Sequence, residues 1–197
     1  AVLDLYTLLI NEADMMSFIH LFEYAKGIGS AMAKEMYLAL KTLGHGSIFY
    51  GLYAADESIN NPFEKRKVSH QLGLFDDFLE LGAVGKFAKL GFEAKFMKNP
   101  ILKHPKLTKD GATFLHDFYL LYRDLKGMKQ PRTIVRKIVA SSMYNHISDV
   151  LSNKRAQLKD GSIDEKQKTE SLSRISRKMM LLEELAKPYS EHERFLN

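Results

Sequence analysis

The sequence predicts an all-α fold, a multi-helix bundle of about seven to nine helices that ends in a long C-terminal antiparallel helical hairpin. Apolar residues recur at intervals of three and four along most of the chain, which is the spacing of one helix face. Strand patterns are nearly missing, and one short turn separates the last two helical segments. With 45% apolar residues among 197, the chain can bury one good-sized core.

We expect a single domain over residues 1–197, with subregions 1–98 and 108–197 on either side of a linker at 99–107. The linker contains two prolines. Because the chain starts on an apolar run without Met, we interpret it as a fragment of a longer protein. Cysteine is absent, so the sequence predicts no disulfides and no cysteine-bound metal. It shows no signal peptide and no apolar run long enough for a membrane span, so we expect an intracellular, soluble location.

The N-terminal part predicts helices separated by short breaks. Residues 2–25 favour two helices broken near 11–14, although one long helix fits the same apolar pattern. A further helix covers 30–43 and ends at Gly44, since glycine commonly follows the last helical turn. The stretch GSIFYGLYA (46–54) has the aromatic and branched composition of a strand, but a buried helix has the same composition.

The middle of the chain predicts helix interrupted by glycines over 71–98. Within 82–106, phenylalanine and lysine alternate in a way that suits the membrane–water interface. On a helical wheel, however, Phe87 and Phe92 lie nearly opposite each other, which favours packing inside a bundle. Contact with an anionic membrane surface through 82–106 is therefore our third functional alternative.

The C-terminal third has the clearest pattern. A helix over 108–127 carries four apolar residues on one face: Phe114, Phe118, Leu121 and Leu125. The next helix begins at Pro131 and continues past Leu151, and the last begins at a capping box formed by Ser162 and Glu165. Two helices of roughly 25 residues would each span about 37 Å. The short turn between them makes them antiparallel neighbours, with the tip of the hairpin in solvent.

The charge is unevenly distributed along the chain. Residues 126–178 contain thirteen basic and five acidic residues, a net of +8, whereas residues 1–63 have a net of −4. A local basic excess attracts acidic protein surfaces, nucleic acid or anionic lipid, although it also serves as an ordinary solubilising surface.

Our leading hypothesis is a non-enzymatic protein-interaction or regulatory domain that engages an acidic protein partner through this basic surface. The predicted contact residues are Arg132, Arg136, Lys137, Lys154 and Arg155. The first three crowd the start of a helix, where positive charge opposes the helix dipole. A partner that supplies negative charge would explain why they are there.

The stretch EYAKGIGSAMAKEM (23–36) suggests the chief alternative, because two glycines bracket Ile28 ahead of a helical pattern. It resembles the helix-hairpin-helix motif of DNA-binding and DNA-repair proteins over about 15 residues, with Lys26 at the position of the motif's usual proline. The resemblance implies that the amides of Gly27, Ile28 and Gly29 hold a DNA phosphate while Lys26 and Lys34 add charge. A plain corner between two helices fits the same residues.

Enzymatic function has little support in the sequence. None of the seven histidines stands three or four residues from another, so no metal site is predicted, and no cofactor motif occurs. His45, between two glycines, is the one histidine that a loop would expose for catalysis. The acidic cluster of Asp76, Asp77 and Glu80 fits a solvated helix face better than acid–base chemistry. An enzyme would need a site assembled from scattered residues.

Overall fold

The computed structural model describes residues 1–63, 85–191 and 194–195. In these residues there are nine α-helices and no strands, apart from one isolated bridge between Gln157 and Ile163. The α-helices are α1 (Val2–Ile10), α2 (Met15–Phe22), α3 (Ser30–Leu43), α4 (Ile48–Tyr53), α5 (Ala94–Met97), α6 (Lys109–Leu125), α7 (Pro131–Val139), α8 (Ser142–Ala156) and α9 (Glu165–Ala186). The all-α bundle with a C-terminal antiparallel hairpin, α8–α9, is therefore confirmed.

Short 3-10 helices cover Ala88–Leu90 and Pro100–Lys103, on either side of α5. The predicted helical run over 71–98 falls partly, and the acidic cluster of Asp76, Asp77 and Glu80 wholly, outside the described residues.

Side-chain caps fix where most of the longer helices begin. Asp14, Thr108, Ser141 and Asp164 each accept a hydrogen bond from a backbone amide of the first turn of α2, α6, α8 and α9. A cap of this kind stabilises a helix by about 1 kcal/mol. The break between α1 and α2 was one of the two interpretations of residues 2–25, and Asp14 explains why the second helix starts there.

The capping box predicted at Ser162 and Glu165 was wrong. Asp164 caps α9, since its Oδ1 accepts from Lys166 N at 2.9 Å and from Gln167 N at 3.1 Å. Ser162 instead turns back into the loop, where its hydroxyl donates to Asp160 Oδ1 at 2.6 Å. Both residues are typical helix caps, and the loop geometry decided between them.

The long helix predicted to run from Pro131 past Leu151 is two helices. Ser141 has extended backbone dihedrals (φ −83°, ψ 153°) and caps α8, so the chain changes direction between α7 and α8. The apolar stripe continues across the break because Ile138 of α7 and Met143 of α8 are both buried. The hairpin arms therefore contain 15 and 22 residues rather than roughly 25 each.

The strand-like stretch 46–54 forms the buried helix α4. Ile48, Phe49 and Leu52 are all buried, and a helix that is apolar on several sides lacks a clear helical period. Gly51 allows α4 to pack closely against α3, because a Cβ at position 51 would lie 1.9 Å from the Leu40 carbonyl oxygen.

The core is rich in phenylalanine and includes residues of the segment 82–106 and of the expected linker. Phe87 and Phe96, from the segment considered for membrane contact, are each 1% exposed. The expected linker 99–107 is also largely buried, and the Asn99 side-chain amide donates to the carbonyls of Gly51 and Leu52 at 2.9 and 3.0 Å. This segment is therefore held against α4, and the division into two subregions stays a prediction.

The last helix, α9, is the least buried of the long helices. It packs against α7 and α8, yet of its 22 residues only Ser171, Ile175 and Ala186 are buried. Three large apolar side chains of α9 remain about two-thirds exposed: Met180 (64%), Leu181 (64%) and Leu185 (65%). Exposed apolar side chains grouped on one helix are typical of an interaction surface.

Candidate functional site

A groove of about 840 Å³ lies between α8 and α9, next to the first residues of α1. Its volume lies in the range of ligand-binding clefts. The apolar side chains that line it include Ile147, Leu151, Ile175, Met179 and Leu182. We refer to this feature as the hairpin groove.

The groove follows from helical spacing on both arms of the hairpin. Four lining residues of α8 recur at intervals of four, three and four: Tyr144, Ser148, Leu151 and Arg155. Four lining residues of α9 have the same intervals: Ser171, Ile175, Lys178 and Leu182. Residues at these intervals share one helix face, so each arm turns a mixed apolar and polar face towards the groove.

Positive charge lines the groove. Arg155 donates from Nη1 to the Ser171 hydroxyl at 3.4 Å, and neither Arg155 nor Lys178 forms an ion pair with any residue that the structure describes. Arg174 has one acidic neighbour, Glu170, at 3.9 Å, and both side chains are more than half exposed. Glu170 also lines the groove, so three cationic side chains and one carboxylate leave the lining with a net side-chain charge of +2.

The groove also contains a hydroxyl without a partner. Ser148 is 6% exposed, and its Oγ accepts and donates no hydrogen bond within the described structure. A buried hydroxyl without a partner costs free energy in the folded state.

The two arginines at the start of α7 form ion pairs inside the molecule. Arg132 and Arg136 both donate from Nε to Glu183 Oε1 of α9, at 3.1 Å in the case of Arg132. Hydrogen bonds from Arg136 and then Arg132 hold the pKa of the Glu183 carboxyl below its usual range. Glu183 thus supplies the negative charge that we expected a partner to bring, and binding of a partner by these two arginines stays a prediction.

Two of the other three predicted contact residues lie on α8 rather than on α7. Lys137 is exposed on α7. Lys154 and Arg155 are exposed near the end of α8, but they line different clefts: Arg155 the hairpin groove, and Lys154 a second cleft of about 710 Å³. The basic surface predicted from the sequence is therefore divided among three places in the fold.

The second cleft includes the glycine turn that resembles a helix-hairpin-helix. Lys26, Gly27, Ile28 and Gly29 line it together with Lys154, so the structure brings together residues from both binding hypotheses. Glu23 lines the same cleft and reduces its positive charge. Lys34 is exposed on α3, beyond the turn.

The glycine turn has structural reasons for its composition. Gly27 has φ +86°, and a Cβ there would lie 2.7 Å from Thr108 Cγ2, while the Thr108 hydroxyl donates to the Lys26 carbonyl at 3.0 Å. Ile28 is 4% exposed and packs in the core. Gly29 precedes α3 and offers its first amides no side-chain cap. The corner between two helices is thus real, and phosphate binding there stays a prediction.

One polar cluster was not predicted from the sequence. The Glu93 carboxylate accepts from the Tyr119 hydroxyl at 3.1 Å and from Arg123, while the Glu93 amide donates to His116 Nε2 at 3.2 Å. The hydrogen bond from Arg123 lowers the pKa of Glu93, and burial lowers the pKa of His116. The sequence does indicate that His116, Tyr119 and Arg123 share one helix face, because they are three and four positions apart. The cluster ties the segment before α5 to α6, which is a structural role.

His45, considered for catalysis, lies in the turn between α3 and α4. It has φ +50°, and its Nε2 lies 3.1 Å from Asp56 Oδ2 with the imidazole largely exposed. Among the described residues, no group of three His, Asp or Glu side chains is placed to hold a metal ion.

Comparison of the chain with protein-family models, with curated proteins and with solved structures finds no match. None of the described helices combines the length and the apolar composition that a membrane span requires.

Proposed function

We propose that this protein is a non-enzymatic helical binding module that holds an acidic segment of a partner protein in the hairpin groove. The observation that carries the proposal is the combination of an apolar groove lining with two cations, Arg155 and Lys178, that have no ion-pair partner among the described residues. Apolar burial supplies affinity, and complementary charge supplies specificity and a fast encounter.

The proposed contact lies in the hairpin groove rather than at the start of α7, where the sequence alone placed it. Arg132 and Arg136 are paired with Glu183, so an acidic partner would have to compete with an internal carboxylate there. Arg155 and Lys178 present no such competition, and this moves the proposed contact from the start of α7 to the α8–α9 hairpin.

Two acidic probe peptides test the proposal: the helix-forming ELLEELAELLEELA and its variant ELLEELPELLEELA, each labelled with fluorescein and titrated by anisotropy. Binding of either peptide, with no binding of the lysine counterpart KLLKKLAKLLKKLA, supports an acidic partner. If neither acidic peptide binds at millimolar protein, or the lysine peptide binds as well as they do, the proposal fails.

A matched pair of variants locates the binding. Lys178→Glu reverses a charge in the groove, and Lys34→Glu reverses an exposed charge on α3. We expect the first to weaken binding by about tenfold, corresponding to one close charge pair, and the second to leave it unchanged. Equal effects of the two would mean that net charge, rather than the groove, attracts the peptide.

A second candidate function, sequence-independent DNA binding, is favoured by the meeting of Lys26 and Lys154 beside the glycine turn. Gly29→Asp tests it, because aspartate caps a helix well but places a negative charge where the phosphate would bind. Micromolar binding of a labelled duplex at 50 mM salt that weakens steeply at 200 mM, and that Gly29→Asp abolishes, would support it. A duplex that does not bind at 50 mM salt would exclude this candidate.

A further inference from the structure

We infer that the occupant of the hairpin groove is an amphipathic α-helix whose apolar stripe is flanked by acidic residues. This inference rests on the proposed function and adds the conformation and pattern of the bound segment.

The shape of the groove favours a helix. Its lining runs along α8 from Tyr144 to Arg155 and along α9 from Gln167 to Leu182, which at 1.5 Å per residue is about 16 Å and 22 Å. A third helix of about three to four turns matches this length. Its side chains can pack between those of α8 and α9 along the hairpin groove.

Other modes of peptide recognition lack the surface they need. Addition of a β-strand requires an exposed sheet edge, and the described residues contain no sheet. Polyproline recognition requires a groove lined by aromatic rings, whereas Tyr144 is the one aromatic residue in the groove lining.

The placement of charge defines the pattern of the occupant. Cations line both arms of the groove beside its apolar side chains: Arg155 belongs to α8, and Arg174 and Lys178 belong to α9, where Glu170 is the one carboxylate of the lining. Leu181 and Leu185 extend the apolar surface of α9 past Lys178, and both are about two-thirds exposed. A complementary helix therefore has apolar residues at intervals of three and four, with glutamate or aspartate on both edges of that stripe.

The two acidic probe peptides separate this inference from the proposed function. Replacement of the central alanine by proline disfavours the helix strongly, so we expect the proline peptide to bind at least tenfold more weakly than its parent. Circular dichroism is expected to show added helix when the parent peptide binds. If the proline peptide binds as tightly as its parent, or if binding adds no helix, the occupant is not a helix and this inference fails while the proposed function stands.

Two further measurements check the position of the occupant. Leu181→Ser is expected to weaken binding of the parent peptide about threefold to tenfold through lost apolar burial. The matched variant Leu38→Ser, at a leucine of α3 that is 50% exposed, is expected to leave it unchanged. Sedimentation velocity tests a second copy as the occupant. A dimer that Lys178→Glu dissociates would overturn the inference.

Discussion

Arg132 of α7 donates from Nε to Glu183 of α9 at 3.1 Å, across 51 positions of the sequence. Arg136, one turn further along α7, donates to the same carboxylate oxygen. The pair fixes α7 against α9 and uses the charge that the sequence alone presented as a free basic surface. Arg155 and Lys178 of the hairpin groove, by contrast, have no ion-pair partner among the described residues, which is why we place the proposed contact there.

Glu183→Gln is expected to lower the free energy of unfolding at pH 7, because the amide cannot balance two guanidinium groups. The pKa of Glu183 is lower in the folded protein than its usual value, so its contribution is present above about pH 4.5 and is lost as the pH falls through the folded-state pKa. Urea unfolding at pH 7 and pH 3 measures the difference. A destabilisation that is as large at pH 3 as at pH 7, or that Glu23→Gln reproduces, would contradict this account.

His116 is expected to make stability depend on pH between about 5 and 7. Burial lowers the pKa of His116 in the folded protein, so below its ordinary value of 6.5 the unfolded chain binds a proton that the folded protein does not. The free energy of unfolding therefore falls as the pH drops through this window.

The variant His116→Gln can still accept from the Glu93 amide but cannot titrate. We expect a lower free energy of unfolding at pH 7.5, since stacking on Phe92 is lost, and a flatter dependence between pH 7 and pH 5. The exposed His20 provides the control, and an equal flattening in His20→Gln would assign the effect to histidines in general.

Ser148→Ala is expected to raise the free energy of unfolding by about 1 kcal/mol. It removes a buried hydroxyl that has no hydrogen-bond partner, and alanine is the better helix former. Ser152→Ala is the matched control one turn away, since the Ser152 hydroxyl is equally buried but donates to the Asp149 carbonyl at 3.0 Å. Urea unfolding that shows equal gains for both variants would mean that helix propensity alone is responsible.

Gly27→Ala is expected to lower the free energy of unfolding by about 1–2 kcal/mol or more, because alanine is strained at φ +86° and its Cβ would meet Thr108. Gly29→Asp is expected to raise it by a few tenths of a kcal/mol, since the backbone there is extended and nothing lies within 4 Å of the added Cβ. Thermal unfolding compares the two. An equal loss of unfolding free energy in both variants would contradict a positive φ at Gly27 and an extended backbone at Gly29.

Helix faces were the most predictable part of the fold. Phe114, Phe118, Leu121 and Leu125 were placed on one face of a helix over 108–127, and all four are buried. The end of α3 at Gly44 was predicted as well. These features depend on residues that are close together in the sequence. The spacing of apolar residues and glycines along the chain is therefore enough to predict them.

The candidate site was less predictable, because it depends on residues that are distant in sequence. The sequence placed Arg155 in a basic surface but did not indicate that it would share a groove with Ile175 and Lys178. It also gave no sign that Glu93 would bind Arg123, since only the folding of one segment onto α6 brings their side chains together.

By itself, then, the sequence determined that the protein is all-α, where most helices lie and which faces they bury, because helical spacing and local turn chemistry act over short stretches of chain. The tertiary structure decided that Asp164 rather than Ser162 caps α9, that Ser141 divides a long apolar stripe into two helices, and that Glu183 pairs with the arginines at the start of α7. Those outcomes are set by packing and by charges that meet only in the folded chain. The same packing brings Arg155 of α8 and Lys178 of α9 into one groove.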